Sequence, residues 1–217
     1  MLMTNKEKEI VSFLKEEYPE AKATLIFHNP LECLLAILLS AQTTDKSVNQ
    51  VTPPLFERFP TSKELANANV KDIENCIRSI GLYHNKARNI HALATVLEEK
   101  YGGRIPMKKE ELMKLPGIGN KTAGVFLLEM GKEQYFPVDT HIKRISTRLG
   151  YAKKEMEPLE IEKRLEKIFP KEEWAYLHHA FIYFGRDICK AIHPLCEKCK
   201  LGKYCVYLKK HSSTTDR

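Results

Sequence analysis

The chain has 217 residues, enough for one large domain or two small lobes. With 43% hydrophobic and 29% charged residues it has the composition of an ordinary folded protein, which excludes a disordered or fibrous chain. The net charge of +7 is uneven: residues 1–100 hold 12 Lys/Arg against 13 Asp/Glu, and residues 101–217 hold 23 against 15. The basic half is where a polyanion would be met, because clustered Lys and Arg attract phosphates and release their counterions. A solvated lysine-rich face is the plainer reading of the same charges.

The N-terminal segment MLMTNKEKEI lacks the apolar stretch of a secretory signal, so cytoplasmic residence is expected. Thr4 and Glu7 have the spacing of a capping box, which predicts a helix running to about Glu17 with Ile10, Val11 and Leu14 on its apolar face. Asn29-Pro30 supplies an N-cap and a first-turn proline for the next helix. That helix holds the longest apolar run, Cys33 to Leu39, too short for the ~18 residues of a membrane span and therefore read as buried. Asp45 is placed to cap the helix that follows. Further helices are predicted at about Ser62–Asn67, Val70–Ser79, Lys86–Tyr101, Lys109–Leu115 and Asn120–Met130, with turns at Gly81, Gly102-Gly103 and Pro106. The last three are His141–Leu149, Pro158–Ile168 and Glu172–Phe184, stopped by Gly150, Pro170 and Gly185. No alternating strand pattern occurs, so the fold class is all-α. The polar tail from about Lys209 is expected to lack structure.

Three sequence features carry chemistry. In Leu115-Pro116-Gly117-Ile118-Gly119-Asn120-Lys121, a proline and two glycines join two helices in a tight hairpin. Without a Cβ at Gly117 and Gly119, the amides opening the second helix can approach a phosphate oxygen; equally, the segment reads as an ordinary turn plugged by Ile118. Lys121 lies in the first turn, where the helix dipole disfavours a second positive charge, which favours a nucleophilic neutral amine; a solvated surface lysine is the plain alternative. In Pro137-Val138-Asp139-Thr140-His141, Asp139 is an N-cap whose rigid carboxylate would also stabilise a developing positive charge. Finally, Cys189, Cys196, Cys199 and Cys205 follow C-x6-C-x2-C-x5-C within 17 residues, which means a metal: tetrahedral zinc or a [4Fe-4S] cluster. Zinc sites more often show two C-x2-C pairs, and here there is one. Cys33 and Cys76 read as inert core residues.

LPGIGNKTAGVFL and VDTHIKRISTRLG resemble the helix-hairpin-helix glycosylases, and Lys121 with Asp139 resembles the endonuclease III family in particular. The similarity continues in LLSAQTTDKSVN, GLYHNKARNI and HHAFIYFGRDIC, so it spans nearly the whole chain. It implies two helical lobes with a DNA-binding cleft between them: residues 24–132 with the helix-hairpin-helix at about 109–130, and residues 1–23 plus 133–217 with an iron–sulfur loop at 189–205. Lys121 and Asp139 would then face each other across the cleft.

The resemblance also implies a [4Fe-4S] cluster on the four cysteines, with a structural task. Its implied function is that of a bifunctional DNA glycosylase and AP lyase, which flips oxidised pyrimidines out of double-stranded DNA and cleaves 3′ to the abasic site by β-elimination through a Lys121 Schiff base. Gln42 and Leu82 match the family positions that fill the vacated stack, and Gly117 and Gly119 those that meet the DNA backbone. A monomer, free of membrane and associated with the nucleoid through DNA, is expected. In the family the stretch between the first two cysteines is basic; here it is KAIHPL, with Lys190 the only fixed charge. Rival readings are an adenine mismatch glycosylase, which lacks the lysine and usually carries a further C-terminal domain, and a non-catalytic helix-hairpin-helix module, which needs neither Lys121 nor Asp139. A metal-dependent nuclease would need more carboxylates near Asp139.

Overall fold

The computed structural model describes residues 3–132 and 135–212. Among them all regular structure is helical, with no strand. The chain packs as two units, one formed by residues 1–22 and 134–217 and the other by residues 23–133. It starts with α1 (Asn5–Glu17) in the first unit, and the second then holds α2 (Pro30–Leu39), α3 (Asp45–Arg58), α4 (Ser62–Asn67), α5 (Val70–Ile77), α6 (Tyr83–Tyr101), α7 (Lys109–Leu112) and α8 (Asn120–Glu129). The first unit resumes with α9 (Thr140–Arg148), α10 (Pro158–Ile168), α11 (Trp174–Asp187) and α12 (Val206–Ser212).

The unit of residues 23–133 is built around α2. Asn29 caps it by accepting a hydrogen bond from the Glu32 amide at 3.0 Å. Every residue from Cys33 to Leu39 is buried, as a helix that is apolar all round requires. Helices α3, α6 and α8 pack on it, while α4 and α5 lie along α6. The sequence places most of these elements within a few residues, with local differences. Thr44, not Asp45, caps α3, its hydroxyl accepting from the Ser47 amide at 3.2 Å. Helix α6 begins at Tyr83, three residues before the expected start, because Leu82 takes a left-handed conformation and serves as its N-cap. Helix α5 ends at Ile77 and α7 at Leu112, each short of the sequence expectation.

In the other unit the apolar face of α1 (Ile10, Val11, Phe13, Leu14) is buried against α11, with Phe13 edge-on to Phe184 at 5.6 Å. Phe136, Phe169 and Phe181 form an aromatic centre with ring separations near 6 Å. Helix α11 does not stop at Gly185 but runs on to Asp187. A Cβ at Gly185 would lie 2.8 Å from His141 Nδ1, so this glycine marks a close helix–helix approach rather than a helix end. Nor does the chain lose structure at Lys209: α12 extends to Ser212, and the rest of the expected disordered tail, residues 213–217, lies outside the described residues. Among the described residues no helix is long and apolar enough to cross a membrane.

Glu7 is nearly buried, and burial opposes its charge; hydrogen bonds from the Thr4 hydroxyl and amide and from the Tyr151 hydroxyl at 2.8 Å outweigh this and hold its carboxyl below the ordinary 4.5. The bond to Tyr151 ties α1 to the segment after α9. Tyr151→Phe is expected to cost about 1.5–3 kcal/mol at neutral pH, read from denaturant midpoints. A group with a lowered folded pKa stabilises fully above its unfolded value and loses that contribution as pH falls through the folded one. The difference between wild type and variant should therefore shrink as the pH drops below 4.5.

Candidate active site

The hairpin between α7 and α8 is shaped by a glycine whose neighbours dictate it. Gly117 has φ +78°, and a Cβ there would meet the Asn89 side chain at 3.0–3.2 Å. Ile118 is buried and plugs the turn. Gly119 differs: its φ is −95° and an added Cβ would meet nothing within 4 Å. It is the N-cap of α8 and offers no side-chain acceptor to the first-turn amides, so this helix start faces outward without a cap of its own. Lys121 follows two residues later and is exposed.

Asp139 belongs to the other unit. It is half-buried and caps α9, its Oδ1 accepting from the Ile142 amide at 2.8 Å. The segment before it is anchored by the buried His178, whose ring lies 2.9 Å from the Pro137 carbonyl and donates to it through Nδ1. One turn on, burial holds the His141 imidazole below its ordinary 6.5; the Asp139 charge opposes this, and the Arg144 and Arg186 charges reinforce it. A neutral His141 has an Nδ1 lone pair for the Arg144 guanidinium, 3.0 Å away.

Helix α9 also reaches the cysteines. Arg144 donates to the Cys189 carbonyl at 2.9 Å and to the Gly185 carbonyl at 2.9 Å. Arg148 donates to the Lys190 carbonyl at 2.7 Å and to the Cys189 sulfur at 3.2 Å, with its guanidinium 4.3 Å from the centre of the Tyr207 ring. Cys189, Cys196, Cys199 and Cys205 line one small cavity of about 20 Å³, otherwise walled by Ile188, Pro194 and Leu208 among others. Burial and the neighbouring sulfurs push the Cys196 thiol up, and burial above all pushes Cys199 up to about 11. Of the other cysteines, Cys33 is fully buried with its thiol pushed up by desolvation, whereas Cys76 is only half-buried and is no core residue.

Gln42 and Leu82 share an unusual backbone. With His193 they are the non-glycine residues of positive φ among the described residues, at 54° for Gln42 and 57° for Leu82. Such a conformation costs of order 1–3 kcal/mol and clusters at functional positions. Both side chains are exposed, Leu82 by 54%. His193 (φ 49°) lies in the exposed stretch Lys190–His193 between the first two cysteines. The structure thus groups Gly117, Gly119 and Lys121 on one hairpin and the four cysteines around one cavity. Residues that the sequence did not single out are Lys86, Asn89, Arg144, Arg148 and His178; of these, Lys86 left a readable signal, a lysine on the apolar stripe of α6.

A family model described as the HhH-GPD superfamily base excision DNA repair protein matches residues 35–171, which include Gln42, Leu82, the hairpin, Lys121 and Asp139. The endonuclease III of Bacillus subtilis (strain 168) is 42% identical over 188 residues, covering 87% of this chain and 86% of that protein. That of Synechocystis (strain PCC 6803) is also 42% identical, with coverage of 91% and 90%. A solved structure of a trapped endonuclease III–DNA covalent intermediate superposes with a TM-score of 0.92 at 44% identity, covering 98% of this chain and all of that one. A thermostable thymine-DNA glycosylase shares the fold, with a TM-score of 0.85 at 23% identity. The fold and the hairpin define a helix-hairpin-helix base-excision repair protein, and within that class the chain belongs to the endonuclease III family.

The two hairpin glycines should respond differently. Gly117→Ala is expected to cost about 1–3 kcal/mol through strain and the clash with Asn89. Gly119→Ala should cost about 1 kcal/mol or less, the loss of a poor cap, yet weaken DNA binding by about tenfold. Urea midpoints and fluorescence anisotropy on an abasic duplex read the two effects separately.

Proposed function

We propose that this protein carries out the chemistry of its family as a DNA glycosylase and AP lyase of base excision repair, with Lys121 as its nucleophile. The observation that carries the assignment is the exposed Lys121 in the first turn of α8, two residues after an N-cap without a side chain. Gly117 and Gly119 let the hairpin backbone meet a DNA phosphate, a contact that positions the duplex without reading its sequence. The target nucleotide leaves the stack, and Gln42 and Leu82 occupy the space it vacates. The Lys121 amine attacks C1′ as the C1′–N bond to the base breaks, the base leaving with a proton. Loss of the amine proton and opening of the sugar ring give an imine at C1′. Abstraction of a C2′ proton then breaks the C3′–O bond, so the strand is cut on the 3′ side of the abasic sugar.

Asp139 stabilises the positive charge that develops on the sugar and assists the proton transfers. Its place as a rigid N-cap supports that role, because a carboxylate held by a backbone amide needs no reorganisation when charge appears. Oxidised pyrimidines in double-stranded DNA are the proposed substrates, and a monomer the proposed working form, associated with the nucleoid only through its DNA.

Cys189, Cys196, Cys199 and Cys205 would hold a [4Fe-4S] cluster. Four thiols lining one largely apolar cavity, with a single C-x2-C pair in their spacing, support a cluster, in which each cysteine binds a different iron, over a tetrahedral zinc site. When bound, the cluster supplies four bonds that pin a loop with little apolar surface to bury.

Incubation with an abasic duplex and borohydride should trap a covalent adduct with the wild type and none with Lys121→Ala. A wild type that forms no adduct, or an alanine variant that traps equally well, rejects the assignment in favour of a protein that only holds DNA. Asp139→Asn should retain binding while slowing base release by about a hundredfold or more. Aerobically purified protein should be brown and contain about four irons per chain, the content of one [4Fe-4S] cluster. Colourless protein with stoichiometric zinc would replace the cluster with a zinc site.

A further inference from the structure

Helix α6 buries a stripe made of Lys86, Ala87, Ile90, Leu93, Ala94 and Leu97. Lys86 is only 5% exposed, and burying an ammonium ion is unfavourable unless a specific partner holds it. No carboxylate pairs with it among the described residues; its Nζ donates to the Thr43 hydroxyl at 2.5 Å. Desolvation accordingly pushes its pKa down, with no neighbouring charge to offset the effect.

The position of that hydroxyl matters. Thr43 Oγ1 donates in turn to the Ala41 carbonyl at 3.4 Å, so the link spans Gln42, whose φ is 54°. At its other end, the Lys86 amide donates to the Leu82 carbonyl at 3.0 Å and closes the first turn of the helix whose N-cap is Leu82, at φ 57°. One residue therefore grips both left-handed turns, the first through its side chain and the second through its backbone. Left-handed conformations of non-glycine residues persist only where their surroundings over-determine them.

We infer that Lys86, acting through Thr43, is a positioning residue that fixes the Gln42 and Leu82 turns relative to each other, so that the two side chains enter one gap in the DNA stack together. This rests on the proposed gap-filling roles of Gln42 and Leu82. A side chain misplaced by about 1 Å can slow a reaction by about a hundredfold, so two residues on separate turns need a common anchor. A flexible surface link would not supply one; a part-buried hydrogen bond from a lysine that is itself only 5% exposed does.

The test compares duplex DNA with single-stranded DNA, which has no opposing stack to fill. Lys86→Met keeps the stem and removes the donor; Thr43→Val keeps the shape and removes the hydroxyl; Thr43→Ser keeps the hydroxyl. With a damaged base in duplex DNA, Lys86→Met and Thr43→Val should each lower kcat for base release by about tenfold or more, and the fluorescence change of a 2-aminopurine beside the lesion should slow in parallel. Strand cleavage at an abasic site in single-stranded DNA should stay within about twofold of wild type, Thr43→Ser should behave as wild type, and the double variant should be no worse than either single one, since both remove the same link. Should Lys86→Met fail to fold, Thr43→Val alone carries the test. Equal losses on single-stranded and duplex DNA, or an unchanged duplex rate, overturn the positioning role while leaving the lyase intact. A wild type that cleaves neither substrate overturns the lyase assignment, and this inference with it.

Discussion

The unit containing the cysteines depends on the close crossing of α9 and α11 at Gly185. Because this residue has no Cβ, His141 and Arg144 lie against the α11 backbone, and Arg144 reaches the carbonyls of Gly185 and Cys189 together. Asp139 caps the same helix from its N-terminal end, and Arg148 holds the loop after Cys189 from its C-terminal end. A side chain at position 185 would push α9 outward and disturb all three at once. The proposed catalytic carboxylate and the first cysteine thus share one rigid support, and burial of His141 in its neutral form keeps another positive charge away from Arg144.

The other unit solves a different problem. Its core element, α2, is apolar on every face and supplies rigidity without chemistry. What distinguishes this unit is two exposed residues in left-handed turns, and stability is given up at both. The loss is tolerable because α2 and the inner stripe of α6 beside these turns are buried, and Lys86 spans the distance between the turns. Gly117 shows the opposite strategy, with a glycine placed where a left-handed turn also needs room for Asn89.

Features decided within a few residues were legible in the sequence: the Thr4–Glu7 cap, the Asn29-Pro30 start of α2, the limits of α4 and α10, and the grouping of four cysteines. Features decided by packing were not. Gly185 reads as a helix stop because its reason for being glycine lies on α9, about forty positions earlier in the chain. Thr44 and Asp45 are both good caps, and local chemistry does not choose between them. Arg144, Arg148 and His178 look like surface residues until the fold supplies their carbonyl partners. For the candidate site, spacing alone grouped the four cysteines, which line one cavity in the structure. The hairpin alone left Lys121 open between nucleophile and solvated lysine, and the family resemblance gave it meaning.

The bond between Glu7 and Tyr151 joins residues 144 positions apart, and the whole of residues 23–133 lies between its partners. During synthesis α1 emerges first, yet the rest of the cluster that buries Ile10 and Leu14 comes from residue 136 onward, through α11 to Leu201. The intervening unit is one continuous stretch, residues 23–133, and can form while α1 is still waiting. Vectorial translation therefore builds the hairpin and the two strained turns before the ribosome has placed a single one of the four clustered cysteines. The N-terminal helix is the last early piece to find its place.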